Sequence, residues 1–256
     1  MKKLKVLSLM AMGISLLIGA IVGAQPSATE ILQKAIQAQF PENFIAVMEM
    51  VGTKPGQADV TVQLKIFKKG SDKALLEVLA PPEIKGQKIL RVGDTAKILF
   101  PEICKLVAIT QNTSIFGTAF SAADVLRVDL VKDYNATLVG TEKLGDKEAY
   151  KLDLKAKDET VPFDRVLYWV EVKTFLPLRG EYFTLSGKLL RTLIYLEPKT
   201  LGGAVRQSKL VIEDALVAGA KTTLTIREMD AKKPEELPDE MFTEEALLKA
   251  CRKSSQ

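Results

Sequence analysis

The chain contains no histidine, two cysteines, one tryptophan and only 6% aromatic residues. The missing histidine removes the most chemistry. Without imidazole there is no Ser-His-Asp or Cys-His nucleophile, and the commonest catalytic zinc ligand sets are gone. An enzyme would have to work through carboxylates, lysine or tyrosine. The pairs Asp153 with Asp158 and Glu235 with Glu236 are the acid–base candidates. Each falls in a charged turn or on a solvated strand face, where nothing nearby supplies the burial that shifts a pKa. A nucleophile elbow is also missing, so the expectation is a protein without catalysis. The net charge is +4, but Lys and Arg alternate with Asp and Glu and part of the excess lies at the N-terminus. No one-sided basic stripe interleaved with aromatics is present, which argues against a nucleic-acid partner. The two cysteines, Cys104 and Cys251, leave two readings. In an oxidising compartment they pair, and closing so long a loop stabilises the fold by ~4 kcal/mol if unstrained. Otherwise they are separate thiols, Cys104 packed in a strand and Cys251 in a fraying tail.

The N-terminus has three parts. Lys2, Lys3 and Lys5 precede an apolar run from Val6 to Val22, and Val22-Gly23-Ala24 offers the small residues a signal peptidase reads. The run is broken by Ser8, Gly13, Ser15 and Gly19 and is short for a bilayer span. Residues 1–24 are therefore expected to be a cleaved signal. No cysteine follows the run for acylation, so the mature protein is expected to be soluble outside the inner membrane, as a single domain over 25–256.

Strand periodicity dominates the rest. Val60, Val62, Leu64 and Ile66 alternate with polar residues, as do Tyr150, Leu152 and Leu154, and Thr222, Leu224 and Ile226. Further strands are expected at 46–51, 73–79, 87–92, 95–100, 105–109, 134–142, 165–172, 178–184, 188–197 and 205–213. Gly93-Asp94, Gly145-Asp146 and Ser186-Gly187 mark tight turns between them. Sequential hairpins predict an antiparallel meander. Helices are few: one capped by Thr29 and ended by Pro41, a short one starting at Ser121, and one near Thr243 carrying Ala246, Leu247 and Ala250. Such a chain cannot sandwich its sheet between helix layers, so the sheet must curl over its few helices.

Two motifs connect this pattern to a known family. Leu79-Ala80-Pro81-Pro82-Glu83-Ile84-Lys85-Gly86-Gln87-Lys88-Ile89-Leu90 is followed by Ile115-Phe116-Gly117-Thr118-Ala119-Phe120-Ser121-Ala122-Ala123-Asp124. Downstream come Gly140-Thr141-Glu142, Tyr150 to Leu154, Trp169-Val170-Glu171, Pro177, Glu181-Tyr182 and Gly187-Lys188-Leu189. Their order and spacing resemble the outer-membrane lipoprotein-sorting family of the LolA and LolB superfamily, across nearly the whole mature chain. The resemblance implies a half-barrel plugged by helices on its concave face, and a carrier of lipid or lipoprotein acyl chains in the periplasm. It implies no cofactor and no metal. Its partners would be an inner-membrane exporter and an outer-membrane acceptor. A lipid-sensing envelope regulator of the same fold is the alternative.

On that reading the cavity lining is expected from Val62, Leu64, Ile66, Leu76, Val78, Leu90, Ile98, Phe100, Leu152, Leu154, Tyr168 and Val170, with Phe116 and Phe120 as a gate hinged at Gly117. The energetic rationale is simple. At ~0.8 kcal/mol per methylene, a chain of about fifteen methylenes resists entering water by ~12 kcal/mol, and a shielding cavity lowers that barrier. For any one of these residues, filled core is the more common fate.

Overall fold

The computed structural model describes residues 25–110, 113–118 and 130–254. The expected signal segment, the expected helix at Ser121 and Phe120 lie outside these residues. Within them, thirteen strands form one antiparallel sheet. They are β1 (Phe44–Thr53), β2 (Val60–Lys69), β3 (Lys73–Ala80), β4 (Lys88–Val92), β5 (Thr95–Phe100), β6 (Lys105–Ile109), β7 (Tyr134–Leu144), β8 (Lys147–Ala156), β9 (Arg165–Glu171), β10 (Pro177–Phe183), β11 (Leu189–Leu201), β12 (Ala204–Asp214) and β13 (Lys221–Ala231).

The spatial order is β6-β5-β4-β3-β2-β1-β13-β12-β11-β10-β9-β8-β7. Two meanders therefore run outward from a central seam, where Phe44 pairs with Ala231 and Thr53 with Lys221. Strands β6 and β7 are the two edges, so the curled sheet does not close. Gly93 and Gly145 take positive φ (60° and 66°) in their hairpins, as the tight turns there require. After the cis Ala80-Pro81 bond, Pro82–Ile84 makes one 3-10 turn, and the chain re-enters the sheet past Gly86 (φ 85°).

Alternation assigns one face of the sheet to the main core. On β1 the residues Phe44, Ala46, Met48 and Met50 are buried in turn, on β2 Val62, Leu64 and Ile66, and on β3 Ala74, Leu76 and Val78. Helix α1 (Ala28–Gln39) lies over this face, burying Ile31, Leu32 and Ala35. It packs against β7, β9, β10 and β12. Its N-cap is Ser27 rather than Thr29: Ser27 Oγ accepts from the Glu30 amide, and the Glu30 carboxylate accepts from the Ser27 amide. This reciprocal pair satisfies two helix-end donors, which Thr29 cannot do with Leu32 at the third position. The other end is held by Arg206, whose guanidinium donates to the carbonyls of Gln37, Ala38 and Leu201. Gln39 and Gln207 add a buried pair of hydrogen bonds between side chain and backbone.

The opposite face is covered as well, on one half of the sheet. Leu75, Leu90 and Leu99 pack with Leu237, Phe242, Leu247 and Cys251 of the C-terminal segment. That segment carries helix α3 (Glu244–Ser254); the four-residue helix Leu130–Asp133 before β7 is α2. Cys104 and Cys251 form a disulfide that ties α3 to the β5–β6 turn. Cys104 is thus in a turn at positive φ (45°) and not in a strand, and Cys251 is buried on a helix and not in a fraying tail. Asp239, bonded by Lys69 and Lys73, fastens the same segment to β2 and β3. On the other half this face carries Trp169, whose Nε1 donates to Glu142 and whose ring lies beside Lys151 and Arg179.

Candidate functional site

Between α1 and the concave face the core is incompletely filled, leaving a cavity of about 410 Å³. This lies in the range of roughly 300–1,000 Å³ typical of small-ligand sites. Three groups of residues build it. Ile36 and Phe40 project from α1 and its end, and Met48, Ile66, Leu193, Leu210 and Leu224 rise from strands on both sides of the central seam. Leu130 and Val131 of α2 with Phe163 of the β8–β9 connection form the third side. The walls are thus mainly aliphatic and aromatic, the surface that accepts hydrocarbon.

Polar groups concentrate in a few places. Lys68, Gly70 and Ser71 bring the β2–β3 turn to the cavity, and Glu42 and Asp133 contribute carboxylates. Lys68 Nζ donates to the Gly70 carbonyl at 2.5 Å. Arg191 is the cation set into the apolar wall: it is only 8% exposed, and strand register places it directly opposite Tyr182. Its guanidinium carbon lies 4.3 Å from the Phe163 ring and 4.7 Å from the Tyr182 ring, while those rings are 4.9 Å apart and inclined at 67°. The three centres form an almost equilateral triangle, so the guanidinium sits in the corner of two rings, each worth about 0.5–2 kcal/mol to it. Tyr168 and Tyr195 meet edge to face, with hydroxyls 3.4 Å apart. Burial, reinforced by the neighbouring Tyr182, pushes the Tyr168 phenol well above its ordinary value, so it remains a neutral hydrogen-bonding group.

Of the residues expected to line a cavity, Ile66 does. Val62, Leu64, Leu76, Val78, Leu152, Leu154, Tyr168 and Val170 belong to the same apolar cluster, fully buried, and Ile98 packs against it half-buried. Phe116 packs half-buried against this cluster at φ 51°, beside Gly117 at φ 74°, while Ile115 and Thr118 are buried. Thr118 lies against Gly52, where a Cβ would approach it to 3.1 Å. Phe100 is half-buried on β5. Leu90 faces the other way: Ile89 is the β4 residue in the main cluster, and Leu90 packs under the C-terminal segment. The expected parity of β4 is corrected by one residue.

The lining residues not anticipated from the sequence come from β10 to β13, from the end of α1 and the turn after it, from the β2–β3 turn, and from α2 with the β8–β9 connection. Their signal was available in the alternation of Arg191, Leu193 and Tyr195, where a cation takes an inward position. Carboxylates named as acid–base candidates stay apart from this site: Asp153 is bonded bidentately by Arg165 on the sheet surface, and Glu236 caps a turn. Among the described residues no group of three His, Cys, Asp or Glu side chains is placed to hold a metal ion. No helix among them is long and apolar enough to cross a membrane.

A family model described as an uncharacterized protein matches residues 70–249. No protein of curated function matches the chain. Among solved structures, a LolA superfamily protein from Nitrosomonas europaea is 27% identical, with 86% of this chain and 98% of that one aligned at a TM-score of 0.77. A putative outer-membrane lipoprotein-sorting protein domain from Vibrio parahaemolyticus shares the fold at 20% identity, covering 86% and 98% of the two chains at a TM-score of 0.74. A protein from Desulfovibrio piger of a family of unknown function does so too, at 20% identity, 86% and 97% coverage and a TM-score of 0.77. The unclosed curled sheet, the helix on its concave face and these alignments over nearly all of the solved chains agree: the chain belongs to the LolA-like family.

Proposed function

We propose that the mature protein, residues 25–256 acting as one domain, takes up an acyl chain of a lipid or lipoprotein in the concave cavity and carries it across the periplasm. The carrying observation is the apolar cavity under α1, held open in a half-barrel whose edges β6 and β7 are not joined. Each methylene placed there is withdrawn from water at about 0.8 kcal/mol. The arrangement supplies shelter rather than chemistry, because the walls are mainly aliphatic and aromatic. The similarity to a LolA superfamily protein supports the same role. An inner-membrane exporter as donor and an outer-membrane acceptor complete the proposal.

The test is compositional. Mass spectrometry of organic extracts from protein purified out of its native envelope should find long-chain lipid in near-equimolar amount. N-terminal sequencing of the same preparation should start close to Gln25. Extracts free of lipid, from protein shown to be folded, would contradict the carrier role, and a retained Met1 in a membrane fraction would contradict the soluble one.

A further inference from the structure

The hairpin turns at the two ends of the sheet differ in kind. At the end where β2 passes into β3 they are Gly70-Ser71-Asp72, Gly93-Asp94, Gly145-Asp146 and Gly202-Gly203, the small and polar residues that tight turns favour. Exposed apolar residues beside them are single valines on the strands, Val92 and Val205. At the other end Leu185 stands in the β10–β11 turn, 88% exposed, and Leu216 and Val217 stand in the β12–β13 turn, 53% and 49% exposed. These turns form one rim with the β1–β2 turn. The Ala215 amide donates to the Leu190 carbonyl at 2.9 Å, and a Cβ on Gly219 would come within 3.1 Å of Pro55 Cγ. Val60, at the start of β2, adds a further exposed valine. Both apolar turns are held by their own polar groups. The Thr184 hydroxyl accepts from the Lys188 amide and meets the Ser186 hydroxyl, while the Thr184 carbonyl accepts from Gly187. In the second turn the Asp214 carboxylate accepts from the amides of Leu216 (2.7 Å) and Val217 (3.0 Å), and the Val217 carbonyl accepts from Ala220. Tips built in this way turn apolar side chains outward while answering much of their own backbone, which lowers the penalty for leaving water.

We propose that this rim docks the protein on a phospholipid bilayer, with Leu185, Leu216 and Val217 inserted at the boundary between headgroups and acyl chains. A fluid surface suits it better than a folded partner. The three side chains project singly from turns, whereas a stable protein interface needs about 800 Å² of closely matched surface on each side. Charge does not choose the surface. Lys54, Lys188 and Lys221 stand on the rim beside Asp59, Glu213 and the turn-capping Asp214, and Lys221 is opposite Glu213 in strand register. With the charges nearly balanced, apolar area drives the docking, and the lysine stems reach the headgroups from behind the tips. The rim adjoins the cavity, because Tyr182 and Arg191, which line it, flank the Leu185 turn on β10 and β11. Docking therefore brings that end of the cavity to the membrane, but the contact does not depend on what the cavity holds.

The experiment is co-sedimentation of the mature protein with vesicles of phosphatidylcholine alone, or of phosphatidylcholine mixed with phosphatidylglycerol, at about 50 and about 500 mM salt. The expected result is association in all four conditions, with partition coefficients within about three-fold of one another. Combining Leu185→Ser, Leu216→Ser and Val217→Ser should weaken partitioning at least ten-fold while circular dichroism and acyl-probe binding stay unchanged. Val205→Ser, at the opposite end, should leave partitioning unchanged. Leu185→Trp replaces a side chain that is already in solvent, and Trp169 is buried. Its fluorescence should therefore shift to the blue on adding vesicles and be quenched by brominated lipid. Failure of the unaltered protein to sediment with either vesicle overturns the inference and needs no variant to fold. So does association that requires phosphatidylglycerol and vanishes at high salt, a triple variant that partitions like the unaltered protein, or a Leu185→Trp signal that vesicles do not move. None of these outcomes touches the carrier reading, which binding of an acyl probe in solution tests separately.

Discussion

Individual side chains hold the ends of this fold in place, and two of them give measurable stability. Ser27 and Glu30 close the N-terminus of α1 reciprocally, and α1 roofs the cavity. Replacing Ser27 by Ala should cost about 1 kcal/mol in urea unfolding; an unchanged midpoint would mean that tertiary contacts alone set the helix start. Asp239 is the second. Hydrogen bonds from Lys69 and Lys73, aided by their charges, lower its carboxyl to about 2, below its ordinary value of about 3.9. Because the folded-state value is the lower one, its contribution is fully present above about pH 4 and is lost as pH falls through about 2. Melting temperatures measured between pH 2 and 4 should fall less steeply in Asp239→Asn than in the unaltered protein. Parallel curves would show that the exposed bridges are screened to nothing.

Among the elements, strands were legible wherever one face is buried and the other is wet. Strands β2 and β13 follow that pattern over the stretches Val62 to Ile66 and Thr222 to Ile226, because period-2 burial leaves alternating residue types. Two elements departed from expectation for physical reasons. In β4 the adjacent Ile89 and Leu90 are both buried, one on each side of the sheet, so alternation carries no parity there. The sequence contains no local sign that the C-terminal segment returns to cover Leu90. Strand β11 continues to Leu201 beyond the expected stop at Glu197: Glu197 adopts φ 56° as an irregularity opposite Ser208, whose hydroxyl donates to its carbonyl, and Pro198 resumes the ladder. The helix α3 was expected near Thr243, but the disulfide that anchors it was one of two open readings, since pairing depends on where the tail lies in space. Closing a loop with a sequence separation of 147 residues should contribute about 4–5 kcal/mol through the unfolded state. Cys104→Ser with Cys251→Ser should therefore lower stability by several kcal/mol and raise amide exchange first around Leu237, Phe242 and Leu247. Unaltered exchange there would mean that the apolar contacts suffice to hold the segment.

At the scale of the whole molecule, the curled meander followed from hairpin order and scarce helices, whereas the cavity did not. Which inward residues fill and which line is decided by how closely two distant parts of the sheet approach α1, a property of curvature that no local pattern encodes. Hence Val62, Leu64 and Leu152 pack solidly, while Phe40, Leu193, Leu210 and Leu224 border open volume. The central claim is that this volume accepts one acyl chain. It is tested most directly by titrating delipidated mature protein with a fluorescent long-chain acyl probe, beside Leu193→Trp, which extends a bulky ring into the cavity from β11. The account predicts saturation near one probe per chain for the unaltered protein, and affinity at least ten-fold weaker in Leu193→Trp with its circular dichroism and melting temperature little changed. Equal affinity in the two folded proteins would place the probe elsewhere and contradict the account.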